Sequence, residues 1–490
     1  MLEEVRRDEL PGTSSPEGNG RVSPACKLGQ GLLLAFAAGY PLVTWSGWIA
    51  STHAKSWVLA GFTTLIGILL LNHVWRVPSP RLVSKRMQWI PLVWVFLSVY
   101  TCFLLGPSLD AFGFTFVTFV WSQLVIRHST WAGNLPKSVL HLLLWFSAVA
   151  WVCTFATKYQ YVALSGNHYG KTGFVSLGCC TLVFVAVVLW FRQVSDVKRA
   201  MVWMVRGGAV ACLLGLWQFF DQKGLATRLF PDLLKDPRSM GTSGHANWFS
   251  TYLLLLFPLA TCCFLSVRRP LWLAACGLIY ANILTAQTRG AWVALASFLV
   301  IAVFTQKEFR KRMLLLGLVM ALVTAALAPL HNWQLLKRAN SLKDQASLAA
   351  AGASHAGTGR LGFWKYAVNR LPRHAVIGSG LDTYAEVAPA GTKAPNTKAH
   401  SIYFEYALCL GIPGLVLYLG FLWRCAGGTA HSLLSWTLKA TIATYLVQGV
   451  FIHDTLHSWP LVWLIAALAV VLRRNDIPTV DAHSVRPPGS

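Results

Sequence analysis

The chain has 490 residues, of which 55% are hydrophobic and only 12% are charged. Soluble domains carry about 25% charged residues, so this composition excludes an ordinary soluble protein and favours a protein that spans a membrane. The formal net charge is +24. Its basic residues are scattered over many short segments rather than gathered in one basic domain, which argues against nucleic-acid binding.

Long apolar segments recur from about residue 28 to residue 472. A membrane-spanning helix needs about 20 mostly apolar residues, and some of these segments are short or closely paired, so we expect roughly 12–14 transmembrane helices in an all-α polytopic fold. Residues 28–330 are predicted to form an N-terminal bundle and residues 401–474 the last helices. The segments begin near residues 28, 56, 89, 109, 138, 173, 200, 246, 271, 291, 313, 401, 435 and 460.

Both ends of the chain are polar. Residues 1–27 are rich in Pro, Gly and Ser and lack a signal-peptide cleavage pattern, so they are predicted to be a disordered tail, and residues 475–490 a second tail. When both tails are assigned to the cytoplasm, the short loops on that side hold more than twice as many basic residues as the opposite short loops. This positive-inside bias predicts cytoplasmic termini and an outer loop at 331–400.

The sequence shows no signature of a metal or disulfide site. The eleven cysteines lie in apolar segments or on the predicted cytoplasmic side, and there is no CxxC or Cys/His zinc pattern. Closely spaced carboxylates, which a metal-dependent sugar transferase uses to hold its ion, are also missing. We therefore expect chemistry without a metal or another cofactor.

Basic residues follow two predicted spans on the outer side. The loop at 221–245, DQKGLATRLFPDLLKDPRSMGTSGH, contributes Lys223, Arg228 and Arg238 as candidate substrate-binding residues. Arg289 stands directly after the next outer turn, in TAQTRG. Arginine binds phosphate oxygens through a planar fork, although an outer-face cation is often only solvated or in contact with lipid headgroups.

The segment 331–400 is a polar island in an otherwise apolar chain. It holds nine Lys and Arg residues against three acids. Residues 334–350 and 360–371 have helical patterns, and Pro372 is expected to end the second helix. That helix, which begins at Arg360 and carries Trp364, fits either the membrane interface or packing on its own loop. A basic outer island favours an anionic, membrane-held substrate.

His400 ends the island at the entrance of the apolar run SIYFEYALCLGIPGLVLYLGFLW, in which Tyr403 is a candidate substrate contact. A neutral imidazole at that depth can accept a proton from a hydroxyl group. A helix-capping or interface histidine is the simpler alternative. The last outer loop, HDTLHSW at 453–459, adds His453, Asp454 and His457, which could bind a metal but more simply line the site.

Several of these segments together resemble the bacterial O-antigen ligase and O-antigen polymerase superfamily. The stretch from about 240 to 423 contains SGHANWFSTYLLLLFPL, TRGAWVALA and GRLGFWKYAVNRLPRHAVIGSGLDTY, in that order. It ends in AHSIYFEYALCLGIPG, which is similar to the histidine-led entry into the span that follows the family's large periplasmic loop. Ser401 stands where asparagine is common in the family. The first 240 residues match only as a multispan scaffold.

The resemblance implies a GT-C-like membrane enzyme of the bacterial inner membrane that works on the periplasmic side. In the ligases of this family, a glycan moves from undecaprenyl pyrophosphate to lipid A-core oligosaccharide during lipopolysaccharide biosynthesis. The family's catalytic histidine corresponds to His400 and its two key arginines to Arg289 and Arg360. An acid of its last periplasmic loop corresponds to Asp454. The implied reaction is inverting and independent of metal.

Three other functions stay open on the sequence alone. A polymerase would use the same donor with a second lipid-linked repeat as acceptor, and a protein O-oligosaccharyltransferase would use a Ser or Thr hydroxyl. A transporter of lipid-linked sugars would perform no transfer, but the sequence lacks inverted repeats and paired intramembrane charges. One large outer loop before the final spans favours the ligase.

Overall fold

The computed structural model describes residues 24–44, 48–76, 109–126, 135–221, 238–267, 269–351, 359–428 and 432–475. Within these ranges, the regular secondary structure is helical and no strand occurs. The all-α fold class predicted from the sequence is therefore confirmed. Lys223, Arg228, most of the two predicted tails and the span expected near residue 89 lie outside the described residues.

The helices coincide with the other predicted apolar segments, apart from small shifts of their ends. The first, α1, begins at Pro24, inside the segment predicted as a tail. In chain order the α-helices are α1 (Pro24–Gly39), α2 (Trp48–Arg76), α3 (Leu109–Ile126), α4 (Lys137–Ala156), α5 (Gln160–Ser165), α6 (Phe174–Trp190), α7 (Val194–Phe220), α8 (Ala246–Ser266), α9 (Pro270–Thr285), α10 (Arg289–Thr305), α11 (Arg310–Leu327), α12 (Leu330–Ala350), α13 (Arg360–His374), α14 (Ile402–Cys409), α15 (Gly411–Ala426), α16 (Leu433–Gly449) and α17 (Trp459–Asn475).

Several described helices have the length and composition to cross a membrane. α4, α7, α8 and the 51–73 part of α2 each meet both criteria, and α10 with α11 meets them as a pair bent by 97°. α6, α9 and α15 are shorter but apolar. The chain is thus a multi-pass membrane protein, while the count of 12–14 spans and the orientation of the termini stay predictions.

The centre of the bundle is made of α6, α8 and α17, whose side chains are buried on nearly all sides. A helix that is apolar all round is stable only when neighbours or lipid surround it completely. Outer helices instead present large apolar side chains to their surroundings, such as Trp145, Phe304 and Leu314, each more than 60% exposed. These side chains mark the face that contacts lipid.

The single span predicted to begin at residue 401 is in fact two helices, so that prediction was wrong. α14 ends at Cys409, and Gly411 begins α15 with φ of +72°. A Cβ at position 411 would lie 2.7 Å from the carbonyl oxygen of Val376, so only glycine fits there. The Ile412 amide donates to Ala375 at 2.8 Å. The break therefore seats the end of α13 and the loop after it against α14.

Helix α13 runs through Pro372 to His374, three residues past the predicted end at residue 371. Proline removes one backbone donor, a small loss in the last turn, where the chain is about to leave the helix. The buried side of α13 is centred on Ala367, and Trp364 stacks on Phe404 of α14 at 5.4 Å between ring centroids. Val368 is 48% exposed. The helix thus packs on α14 and on its own loop, where Ala367 lies in one buried cluster with Tyr384.

Candidate active site

His400 lies at the end of the loop that joins α13 to α14, two residues before α14. Its backbone has φ of +51°, a left-handed conformation that is strained for a residue with a side chain. The imidazole Nε2 lies 2.9 Å from Asn396 Nδ2, and Nδ1 is buried without a hydrogen-bond partner. Both features fit the predicted functional role of His400, which stays a prediction.

The neighbours of Asn396 determine which nitrogen of His400 carries the proton. The Asn396 side-chain oxygen accepts from the Thr397 backbone amide at 2.7 Å, so the Nδ2 group must face His400. An amide nitrogen can only donate, so Nε2 must accept, and a neutral imidazole then holds its proton on Nδ1. His400 therefore presents the Nε2 lone pair as its basic site.

The surroundings of His400 favour its neutral form. Burial lowers the pKa of His400 to about 3, and the positive charges of Arg360, His245 and Lys398 act in the same direction. Phe363 covers the ring at 5.5 Å between centroids. At neutral pH the imidazole is uncharged, which is the state that a general base requires before it takes a proton.

A buried ion triad stands beside His400. Lys398 forms salt bridges with Asp382 and with Glu405, the latter at 3.1 Å, and all three side chains are at least nine-tenths buried. Burial alone lowers the pKa of Lys398, but the charges of Asp382 and Glu405 raise it overall. The lysine is therefore charged and balanced by two acids.

The ion triad joins three parts of the chain that surround the base. Asp382 Oδ2 accepts from the backbone amides of Asn167 and Thr172, at 2.8 and 2.9 Å. Glu405 Oε2 accepts from the Ala399 amide at 2.8 Å, next to His400 in sequence. The ion triad thus fixes the backbone that carries the base. Sequence reasoning missed it because its members are separated by up to 23 positions and carry no motif.

The two arginines predicted to be catalytic come together with a third. Arg289 begins α10 and its Nη1 donates to Ser341 of α12 at 3.3 Å. Arg338 of α12 donates from Nε to the Gln287 carbonyl at 3.2 Å. Burial and the charges of Arg289 and Arg338 lower the pKa of Arg360 to about 10. This arginine cluster (Arg289, Arg338, Arg360) is a partly dehydrated group of like charges, which favours an anionic ligand.

The last outer loop brings further histidines to His400. The ring of His453 lies 4.9 Å from that of His400, edge to face, and both of its nitrogens are buried without a hydrogen-bond partner. His457 is also buried, and its ring stacks on that of Trp248 at 4.7 Å between centroids. The ring of His245 contacts the same Trp248 ring at 5.0 Å. His245, which caps α8, was not predicted from the sequence.

Asp454 faces tyrosines rather than cations. Its Oδ1 accepts from the Tyr445 hydroxyl at 2.6 Å and its Oδ2 from the Tyr406 hydroxyl at 2.8 Å. Burial raises the pKa of Asp454 to about 6, although these hydrogen bonds and Lys398 oppose the shift. The carboxylate therefore anchors the last outer loop to α14 and α16.

The remaining predicted contacts have separate surroundings. The Tyr403 hydroxyl donates to the Leu446 carbonyl at 2.8 Å, a packing contact between α14 and α16. Trp364 is half-buried against Phe404, and its indole nitrogen is buried without a hydrogen-bond partner. Arg238 is half-buried at the start of the segment that leads into α8. Their roles in substrate binding stay predictions.

A metal ion is held by several His, Cys, Asp or Glu side chains that lie close together. No group of three or more His, Cys, Asp or Glu side chains among the described residues is arranged to hold one. The ten described cysteines are free thiols. Whether the reaction needs a metal remains to be tested with a chelator.

Most of the residues of this candidate site lie in a part of the chain that is similar to a known protein family. Residues 271–419 match the family model described as O-antigen ligase, within the stretch 240–423 that the sequence motifs predicted. The match covers the arginine cluster, the ion triad and His400, while His245, His453 and Asp454 lie outside it. No curated protein sequence matches the chain. The chain is thus a helical multi-pass membrane protein in which residues 271–419 are similar to the O-antigen ligase family.

Proposed function

We propose that the protein is an inverting, metal-independent O-antigen ligase of the bacterial inner membrane. It transfers O-antigen glycan from undecaprenyl pyrophosphate to lipid A-core oligosaccharide at the periplasmic face, with both of its own termini in the cytoplasm. The observation that carries the proposal is a buried, neutral imidazole, that of His400, within the electrostatic range of Arg360. Arg360 in turn lies within the electrostatic range of Arg289 and Arg338.

The base and the arginines suit the two ends of this reaction. His400 Nε2 takes the proton of an acceptor sugar hydroxyl while that oxygen attacks the anomeric carbon of the donor sugar. The bond between the anomeric carbon and the pyrophosphate oxygen breaks, and its electron pair leaves with the lipid pyrophosphate. Attack opposite the leaving group inverts the anomeric configuration.

Arg289 and Arg360 stabilise the charge that develops on the leaving pyrophosphate. Fixed cations in a site that excludes water stabilise a transition-state charge strongly, because no solvent has to reorganise. A guanidinium also meets two phosphate oxygens at once, which a lysine cannot do. Two such residues can therefore take the role that a metal ion has in other sugar transferases.

Binding of the donor adjusts the strength of the base. The charge of Arg360 contributes to the low pKa of His400 in the free protein. A bound pyrophosphate offsets that positive charge and moves the pKa of His400 upward, towards the range in which a general base is most effective. The base is thus weak until the donor is present and becomes stronger when the donor binds.

Glycan transfer by the purified protein tests the proposal. The reaction contains undecaprenyl-pyrophosphate-linked glycan, lipid A-core oligosaccharide and a chelator, with wild-type protein or His400→Ala. Because a general base contributes about 10²–10⁴-fold to a rate, we expect wild-type transfer to survive the chelator and transfer by the variant to fall by at least a hundredfold.

The outcomes separate the remaining candidates. Lack of transfer by folded wild-type protein would exclude the ligase, and exchange of the acceptor for a second lipid-linked repeat or a Ser-containing protein would then identify a polymerase or a protein glycosyltransferase. Loss of transfer with the chelator, restored by a divalent cation, would overturn the metal-free mechanism alone. Transfer by His400→Ala at the wild-type rate would remove His400 from the mechanism.

A further inference from the structure

A surface pocket lies in the outer loop next to the base. Its volume is about 350 Å³, at the lower end of the range of small-ligand sites. The polar part of its lining is Thr392, Lys393, Asn396 and Thr397, and alanines complete the wall. Thr392 and Lys393 are exposed, so the pocket opens at the surface of the loop.

Asn396 connects this pocket to the chemistry. It lines the pocket and its Nδ2 donates to His400 Nε2 at 2.9 Å. That lone pair is the one that an acceptor hydroxyl needs when it gives its proton to the base. The amide of Asn396 thus occupies the position that a sugar hydroxyl must take, and it presents a polar hydrogen to His400 as the hydroxyl would.

The position of the arginine cluster argues that the pocket receives the acceptor rather than the donor. The pyrophosphate of the donor is expected at Arg289 and Arg360, on α10 and α13. The pocket belongs instead to residues 385–397, which follow α13. An in-line reaction requires the attacking oxygen and the leaving group on opposite sides of the anomeric carbon, so the two sugars must approach from different directions.

We propose that the pocket formed by residues 385–397 binds the acceptor sugar, and that Asn396 holds His400 in the tautomer with an unprotonated Nε2 until the acceptor hydroxyl replaces the amide. The lining suits a glycan, since hydroxyl, amide and ammonium groups match sugar hydroxyls. The inference rests on the proposed transfer to a sugar hydroxyl, and it deepens that function by assigning the acceptor a place.

Filling the pocket tests the assignment. Ala388 is a half-buried wall residue, and Ala390 is an exposed alanine outside the lining in the same loop. Initial transfer rates of Ala388→Trp and the control Ala390→Trp are measured against each substrate in turn, with the other saturating. We expect Ala388→Trp to raise the KM for lipid A-core at least tenfold and to leave the KM for the lipid-linked donor unchanged.

A second version of this experiment avoids a folding defect. Ala388→Cys and Ala390→Cys are purified as folded proteins and then labelled with a bulky maleimide, since nine of the ten described native cysteines are buried. Labelling at position 388 is expected to raise the acceptor KM, and labelling at 390 is not. An unchanged acceptor KM with active wild-type protein would refute the pocket alone, whereas inactive wild-type protein would refute the proposed function. A raised donor KM would assign the pocket to the donor.

The role of Asn396 is tested by the pH dependence of transfer. An aspartate at position 396 would accept a hydrogen bond from His400 and stabilise the imidazolium, so Asn396→Asp should move the acid limb of kcat/KM to higher pH. Asn396→Ala should lower kcat without that upward movement. If Asn396 only packs the loop, both variants will keep the wild-type pH profile, and the tautomer argument fails.

Discussion

The arginine cluster and the ion triad are both buried groups of charge near His400, yet they are built in opposite ways. In the cluster, neighbouring positive charges lower the pKa of Arg360, whereas two acids raise the pKa of Lys398. A balanced lysine is already satisfied by the protein and serves to hold the backbone. Neighbouring positive charges favour a bound anion, which would offset them. This difference between the two groups is the basis of our proposal that Lys398 holds the backbone and that Arg360 binds substrate.

The largest expected effect follows loss of the cation in the ion triad. Lys398→Met leaves two buried carboxylates without their partner, which costs about 3–5 kcal/mol. We expect a large drop of the thermal unfolding midpoint in detergent, with the exposed Lys307→Met as control. Adding Asp382→Asn and Glu405→Gln to Lys398→Met should restore most of the midpoint. A wild-type midpoint for Lys398→Met alone would contradict the structural role.

Removal of a charge from the arginine cluster should give the opposite pattern. Arg360→Met relieves like-charge repulsion, so the unfolding midpoint should stay the same or rise. Glycan transfer should fall about 10²–10³-fold, the usual loss when one group that stabilises a transition-state charge is removed. The unfolding midpoint and the transfer rate, measured on the same preparation, distinguish a substrate-binding arginine from a structural one. A destabilised Arg360→Met protein would mean that this arginine is structural, like Lys398.

A conservative exchange sharpens the claim about phosphate binding. Arg289→Lys keeps the charge but replaces the planar fork by a point charge. The loss of one hydrogen bond to a charged group is worth about 1.5–3 kcal/mol, so we expect transfer to fall roughly 10–100-fold. Saturation with lipid-linked donor tests whether the loss is one of binding. Near-normal transfer would show that charge alone is sufficient at position 289.

Asp454 is an intermediate case, since hydroxyl groups hold it rather than a cation. Its pKa is raised to about 6 from 3.8, so the folded state binds the proton more tightly than the unfolded state. The resulting stabilisation of the folded state is at most about 3 kcal/mol. It is complete below about pH 4 and is lost as pH rises through 6. Asp454→Asn mimics the protonated form, so the unfolding midpoint of the variant should rise relative to that of the wild type between pH 4 and pH 7. A constant difference over that range would refute the shift.

The smallest effect is expected at Tyr403. Tyr403→Phe removes one hydrogen bond, to the Leu446 carbonyl, and should cost about 1 kcal/mol of stability. Glycan transfer at saturating substrate should remain at the wild-type rate, with Tyr280→Phe, which loses a contact to Thr324, as a comparable packing variant. A large loss of transfer by Tyr403→Phe alone would support the sequence-based prediction that this residue contacts substrate.

The sequence predicted those features that depend on a single residue or on a repeating pattern of apolar residues. Apolar length predicted the helical membrane fold, and the position of His400 at the end of a basic loop identified the base candidate. The prediction that Arg360 acts together with His400 depended on the family resemblance. These features are local, or they repeat along the chain.

The missed features all depend on contacts between distant segments. Nothing near Asp382 in sequence indicates that it meets Lys398, and His245 reaches the site only because α8 begins beside the loop that holds His457. The break at Gly411 was hidden because apolar composition does not report a left-handed backbone. Pro372 was treated as a stop, although the last turn of a helix tolerates it.

One long-range contact constrains when the enzyme can become active during its own synthesis. The Tyr40 hydroxyl donates to the Leu456 carbonyl at 2.6 Å across 416 positions of sequence. At about 5–20 residues per second, the ribosome needs roughly 20–80 s after making the first of these residues to make the second. Until then His453 and Asp454 are also absent. A nascent chain that already holds His400 and the arginines therefore still lacks the last loop of the proposed site.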